Sequence, residues 1–560
     1  MKFLPRSLAA LVPLGLLCTP LMLQAEVKLP KCFTPHMVLQ RDMAVPVWGT
    51  AAPGEKVTVK FRGQTKSVEA GKDGQWKVKL DALKAGGPDE LEVNDKKITD
   101  VLVGEVWVGS GQSNMDMPVS SYTTGDPVLA ENALKTYPKL RLLKKGPNDV
   151  WTEATPEQIK AFSAMLFSFG MQLQQELDVP VGLMVGAVGG TPSGLWLTEE
   201  MYKADAACAE VAKKFGETYD YETVKAKFDA DLAAWKLAVE EAKKTNAKPP
   251  GVPQPVSSAG ECNRGKTGQL YQQFIKPIEG YGIKGVLWDQ GESGTAMTGV
   301  DQYTLMGALI KGWRKAWGQG DFPFLYVQKP SGTGCAWDYE NPVTAKANKF
   351  VPLPAAAPKD NGSYHELHLK IMQYPATTMV TSSDLGPGIH PANKSGYGKR
   401  GSEVALKVVY GREGEIYGPL YASHKVEGNA VRIKYTHTGK GLAFKNGEKL
   451  QGFTIAGADK KFVWGEAKID GNDVVVSSPE VAAPVAVRYA WAGNYPWANL
   501  FNQDGLPAQP FHTDAWEAEA AEAARLALKT KMEEAKKAGA AGASAPAGAA
   551  PPAASAAATK

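Results

Sequence analysis

Cysteine is scarce in this chain: five in 560 residues, with no CxxC pair among them. That spacing argues against a zinc ribbon or a dithiol redox centre. Charge of one sign is also missing. The 63 Lys and Arg nearly balance 59 Asp and Glu, for a net +4, which gives no basic stripe for nucleic acid or an anionic membrane. The only two histidines close in sequence, His365 and His368, form His-Glu-Leu-His rather than His-Glu-x-x-His. With no evident third ligand, no metal site is expected there. Long apolar runs are absent after the first 25 residues, so no membrane insertion is expected.

The N-terminus has the makings of a secretory signal. Lys2 and Arg6 precede the apolar stretch Leu8–Leu17, and Ala25 offers a small residue for cleavage before Glu26. The expected location is therefore secreted or periplasmic. The four remaining cysteines, Cys32, Cys208, Cys262 and Cys335, allow three full disulfide pairings in an oxidising compartment, with free buried thiols as the equal alternative.

What is present divides the chain. Residues 26–100 are short alternating β runs broken by Pro53-Gly54, Asp73-Gly74 and Gly86-Gly87-Pro88, the texture of a small β-sandwich. From 101 to 414 apolar runs alternate with helical stretches: Val106–Val108, Val181–Val188, Gly285–Trp288, Phe322–Val327 and Thr378–Thr381, with helices predicted over Gln158–Leu177 and Ser395–Tyr410. This predicts an α/β domain with a parallel sheet wound on both faces. A helical insertion occupies about 195–260. Its stripe of Tyr221, Val224, Phe228, Leu232, Trp235 and Val239 predicts one amphipathic helix packed on the body. Residues 415–514 return to strands, either as a separate unit or as one module with 26–100. Residues 515–560 read as a charged helix followed by an Ala/Pro-rich disordered tail.

In such sheets ligands bind beyond the carboxyl ends of the strands. Ser113 follows the first run in Gly111-Gln112-Ser113-Asn114, and Asp384 and His390 follow the last. Ser113 is not in a Gly-x-Ser-x-Gly elbow. Serine, aspartate and histidine, each after a strand, are nonetheless the material of an acyl-transfer site. Ser113 is expected as nucleophile, His390 as its base and Asp384 as the group that orients the imidazole. Expected oxyanion donors are the Ser113 N–H, a backbone N–H of Gly189 or Gly190, and the Gln290 amide. Asn114, Glu292 and Trp288 stand in the same segments and are expected to line the site.

Four motifs in order resemble the bacterial sialate O-acetylesterases of the SGNH-hydrolase superfamily: Gly111-Gln112-Ser113-Asn114-Met115, Gly189-Gly190-Thr191-Pro192, Trp288-Asp289-Gln290-Gly291-Glu292-Ser293 and Ile389-His390-Pro391-Ala392-Asn393-Lys394. The resemblance extends to His36–Asp42 and to Gly505–Ala508. It implies an exported, cofactor-free carbohydrate esterase that removes acetyl groups from sugar hydroxyls. The substrate it implies is an O-acetylated glycan, O-acetylated sialic acid first, with acetylated xylan or xyloglucan as the alternative. Two departures accompany it. The family's acidic residue two before the histidine is Gly388 here, and its Asn after Gln-Gly-Glu-Ser is Gly294. The expected site is therefore a triad through Asp384 or a Ser–His dyad, and a degenerate carbohydrate-binding protein is the rival of another class. The pattern does not specify an oligomeric state.

Overall fold

The computed structural model describes residues 26–144, 150–332, 350–359 and 362–537. The expected signal peptide, Cys335 and the tail beyond 537 lie outside the described residues. The centre is a sheet of β1 (Lys96–Gly111), β2 (Tyr137–Lys144), β3 (Trp151–Ala154), β4 (Val181–Ala187), β5 (Gly285–Asp289), β6 (Phe324–Val327) and β7 (Thr377–Val380), in the order β7-β6-β5-β1-β4-β2-β3. Every neighbouring pair is parallel except β2–β3. Residues 101–111 of β1 and all of β4, β5 and β6 are buried, which is why they read as unbroken apolar runs rather than alternating ones.

Both faces of this sheet are covered, as expected. Side chains alternate faces along a strand. Leu287 lies on the side of α2 (Ala164–Leu177) and α4 (Lys394–Val408), where Gly401 approaches both Phe169 and Leu287. Trp288 lies on the other side, its ring centre 5.9 Å from that of Trp313 in α3 (Gln302–Trp317). The helix predicted over Gln158–Leu177 is two helices, α1 (Pro156–Ala161) and α2. Phe162 turns extended and its carbonyl accepts the Val119 N–H, and Ser163 then caps α2 by accepting from the Leu166 N–H at 3.2 Å.

The boundary expected at residue 100 falls inside β1. The first half of that strand pairs with Gly86–Val93 and Val38–Gln40, and the second half runs between β4 and β5. One hydrophobic core accordingly takes in both the N-terminal strands and the α/β sheet, whereas the C-terminal strands form their own core around Val431, Phe453, Tyr489 and Phe511. The two β regions are thus not one module.

The insertion contains the expected helix, Tyr221–Thr245, but its stripe is only half-buried. Its Trp235 indole donates to the Pro250 carbonyl of the proline-rich return. Arg525 and Lys529 of the C-terminal helix pair with Glu217 of the insertion. Cys32, Cys208 and Cys262 carry free thiols, and burial pushes the Cys208 thiol up to about 12. Among the described residues no helix is long and apolar enough to cross a membrane.

The contact of α2 with α4 depends on Gly398, where a Cβ would sit 2.2 Å from the Ser168 Cβ. Gly398→Ala should destabilise the protein by about 1–3 kcal/mol, the usual scale of overpacking, read as a lower denaturant midpoint. An unchanged midpoint would contradict this packing.

Candidate active site

β1 lies where the strand order reverses. The chain leaves it for β2, returns to β4 on one side, then crosses to β5 on the other, and a crevice opens at such a point. Gly111 pairs with Ala187 and with Asp289, so three carboxyl ends finish level. The next residues of each strand, Gln112-Ser113, Val188-Gly189 and Gln290-Gly291, gather beyond those ends.

Gly111 makes the serine turn. Its φ is +128°, and a Cβ there would lie 2.0 Å from the Asp289 carbonyl oxygen, so only glycine satisfies both backbone and space. Gln112 follows extended, its N–H on the Asp289 carbonyl at 2.7 Å, and its side-chain oxygen accepts the Ser293 N–H at 3.3 Å. Ser113 then opens a one-turn helix, Ser113–Asp116. Gly189 crosses over it, close enough that a Cβ would stand 3.4 Å from the Ser113 Cβ.

His390 meets this turn. Its Nε2 lies 2.8 Å from Ser113 Oγ, hydrogen-bond distance for a base taking a hydroxyl proton. The pair faces solvent: Ser113 is partly exposed and His390 exposed. Partial burial lowers the His390 pKa from its ordinary value, the nearby Lys394 charge lowers it further, and Glu292 opposes them. A neutral imidazole is therefore favoured, as a general base requires.

Three expectations change. Asp384 does not orient His390: both of its oxygens are taken by the Arg400 guanidinium, the second at 3.0 Å, and Asp384 is 1% exposed. Among the described residues no carboxylate is bonded to the other His390 nitrogen. Gln290 does not present its amide to the crevice. Its Nε2 donates to the Gly294 carbonyl at 2.9 Å and the Thr191 carbonyl at 3.4 Å, and its oxygen accepts from Gln302. Trp288 lines no site but packs edge-on to Trp196 and Trp313 in the core.

The remaining expected residues are at the crevice. The Gly189 N–H donates to Asp116 at 3.3 Å. The N–H groups of Ser113 and Gly190 have no acceptor among the described residues. Asn114 is buried, its amide on the Ile389 carbonyl at 2.9 Å. Glu292 belongs to a buried ion cluster in which Lys329 Nζ contacts Asp289 at 2.7 Å, Glu292 at 2.9 Å and Ser331 at 3.0 Å. Burial raises the Asp289 carboxyl, whereas for Glu292 the Lys329 charge more than offsets burial and holds it low.

Arg400, Lys329, Lys394 and Arg264 were not among the expected residues. Lys394 stood in the histidine motif without a role. The others lie outside every motif. Arg264 reaches the crevice from the insertion's return, its Nη2 3.4 Å from the Gly190 carbonyl.

His365 and His368 are buried, and burial pushes His365 down to about 4, so both serve as neutral core side chains. His36, Asp100 and Glu153 gather at the start of the sheet, but Arg141 already contacts both carboxylates, at 2.9 Å and 3.3 Å. A cation there would have to displace that guanidinium.

The geometry separates two roles for Asp384. Loss of a triad carboxylate costs about 10⁴ in kcat, whereas stripping a buried arginine of its partner costs about 3–5 kcal/mol of stability. Asp384→Asn should therefore lower the melting temperature sharply, while the folded fraction keeps its turnover of p-nitrophenyl acetate within several-fold. A collapse of kcat at unchanged stability would restore the triad.

The chain is similar to known proteins over most of its length. No protein-family model matches the chain. A crystal structure of a carbohydrate acetylesterase from Xanthomonas citri is 30% identical, with a TM-score of 0.66 over 88% of this chain and 100% of that one. Sialate O-acetylesterases from Rattus norvegicus and Homo sapiens are 29% and 27% identical, each over 85% of this chain and 92% and 90% of theirs. The chain belongs to the sialate O-acetylesterase family of carbohydrate acetylesterases, and the protein is an ester hydrolase.

Proposed function

We propose that the protein is an exported serine esterase of SGNH type that removes acetyl groups from O-acetylated sialic acid. The observation that carries the reaction is the 2.8 Å contact between His390 and Ser113 at the strand-switch crevice. Ser113 Oγ attacks the acetyl carbonyl as His390 Nε2 takes its proton. The developing oxyanion meets the N–H groups of Ser113 and Gly190, neither of which has an acceptor among the described residues. The intermediate collapses by breaking the bond to the sugar oxygen, which leaves with the proton from His390. Water, activated by the same nitrogen, then adds to the acetyl-serine and releases acetate. Retention of this pair argues against a binding-only protein. The basic N-terminal segment with its short apolar core supports export.

Arg264 supports an acidic sugar. It is exposed, it leans on the Gly190 carbonyl beside the serine turn, and it has no ion pair among the described residues. One of its five N–H donors is engaged, which leaves the planar fork that binds a carboxylate in two places. A neutral xylan or xyloglucan chain would leave that charge unused.

Ser113→Ala should lower acetate release by about 10⁴–10⁶-fold on every substrate. Arg264→Gln should lower kcat/KM on O-acetylated N-acetylneuraminic acid by about 10–100-fold, the scale of a lost charged hydrogen bond, and leave p-nitrophenyl acetate unaffected. Equal losses on both esters, or faster wild-type turnover of acetylated xylo-oligosaccharides, would overturn the sialate assignment and leave the esterase assignment intact. An active Ser113→Ala variant would overturn the mechanism itself.

A further inference from the structure

With no carboxylate bonded to it among the described residues, His390 needs another means of being held. In a triad the carboxylate fixes the imidazole's tautomer and direction. Here Asp384 is spent on Arg400, yet His390 sits at bonding distance from Ser113 at the exposed tip of a loop. Something in that loop must be tied to the serine turn.

The tie runs through Asn114, the residue after the nucleophile. Its Nδ2 donates to the carbonyl of Ile389, the residue before the base, at 2.9 Å. Its Oδ1 accepts from Lys394 Nζ at 2.6 Å. A carboxamide can turn end for end, and in the reversed orientation its oxygen would face the Ile389 oxygen. An ammonium has donors and no acceptor, so protonated Lys394 permits only the orientation in which the amide nitrogen points at Ile389.

The lysine is itself held in an unusual place. Asn114 and Lys394 are both 0% exposed. The Lys394 Nζ lies 4.5 Å from the Tyr122 ring centre and 4.9 Å from that of Tyr397, within cation–π range. Burial pushes the Lys394 pKa down to about 7, Lys329 adds to that, and Asp289, Glu292 and Asp126 oppose it. Those four groups, with His390, Tyr122 and Tyr397, are the charged and titratable neighbours facing it, Asp126 from its place as the N-cap of the short helix Pro127–Asn132. A buried cation with one hydrogen bond is a costly fixture for stability alone. Replacing such ions by apolar side chains of similar size is often neutral or stabilising.

The geometry points to Lys394 as a positioning residue for the reaction: by locking the Asn114 carboxamide onto the Ile389 carbonyl, it clamps the histidine loop to the serine turn and does the orienting work that a triad carboxylate would do. The clamp has an electrostatic consequence of opposite sign to a carboxylate. A positive charge near His390 lowers the imidazole pKa, so the base stays neutral to lower pH. The role rests on the reading of Ser113 and His390 as nucleophile and base.

Two variants of the full-length protein test it on p-nitrophenyl acetate, with Ser113→Ala beside them. Lys394→Met removes the donor and the charge but keeps the length. It should fold with an unchanged or raised melting temperature. Its kcat should fall about 10²-fold, the scale of a reacting group displaced by about 1 Å. Its acidic limb in kcat/KM should move to higher pH, because His390 becomes more basic once the positive charge is gone. A residue that merely supported the fold would not move that limb.

Asn114→Asp keeps an acceptor for Lys394 but cannot donate to the Ile389 carbonyl, so kcat should fall on the same scale in a folded protein. Wild-type kcat with an unmoved acidic limb in Lys394→Met, or wild-type kcat in Asn114→Asp, would overturn the clamp. Loss of folding in both variants would also overturn it, by making the contact part of the fold. If Ser113→Ala keeps its activity, the failure belongs to the underlying reading of the site.

Discussion

The hydrogen bond between His390 and Ser113 joins residues 277 positions apart in the chain, and the rest of the molecule can be understood by what holds its two ends within 2.8 Å. One end is set by strand register. Gly111 is level with Ala187 and Asp289, and its left-handed backbone turns the chain into Gln112 and Ser113 where a side chain would collide with the Asp289 carbonyl. The other end is a loop between β7 and α4 that must be held at several points to be of use. Asp384 fastens its start to Arg400, the Ile389 carbonyl is fastened to Asn114, and Gly388 packs so closely on Gly332 that a Cβ on Gly332 would lie 1.9 Å from the Gly388 oxygen.

Much of that holding is done by buried charge. Lys329 sits among Asp289, Glu292 and Ser331 with no exposed surface, and Arg400 and Asp384 are nearly as deep. Pairs of this kind return little net stability against hydrophobic packing of the same volume. What they provide here is direction: each fixes a loop that follows a different strand, Asp289–Glu292 after β5, Lys329 after β6 and Asp384 after β7. The Gly189-Gly190 side is exposed.

Strand ends were legible in the sequence because buried parallel strands leave unbroken apolar runs, and Ser113 and His390 were legible because each follows such a run. Side-chain direction was not. Asp384 stands six residues before His390, which places it nearby without saying where it points. Its true partner, Arg400, lies inside a helix, and an arginine there reads as a surface charge. Gln290 follows β5 as an oxyanion donor might, but its amide is taken by Gly294 in its own loop and by Thr191 in the loop after β4. Arg264 is brought to Gly190 across 74 residues, a contact that no local pattern records. The boundary at residue 100 was drawn where composition changes, yet β1 runs through it, because one strand can pair with two different sets of neighbours along its length.

The central claim, that Ser113 is the nucleophile and His390 its base, is tested most directly by covalent capture. The wild-type protein and His390→Gln would be treated with a fluorophosphonate and the adduct mapped by peptide mass spectrometry. The account predicts a single adduct on the peptide carrying Ser113 in the wild type, and none over the same time in His390→Gln. An adduct on another serine, or equal labelling of Ser113 without the histidine, would contradict it.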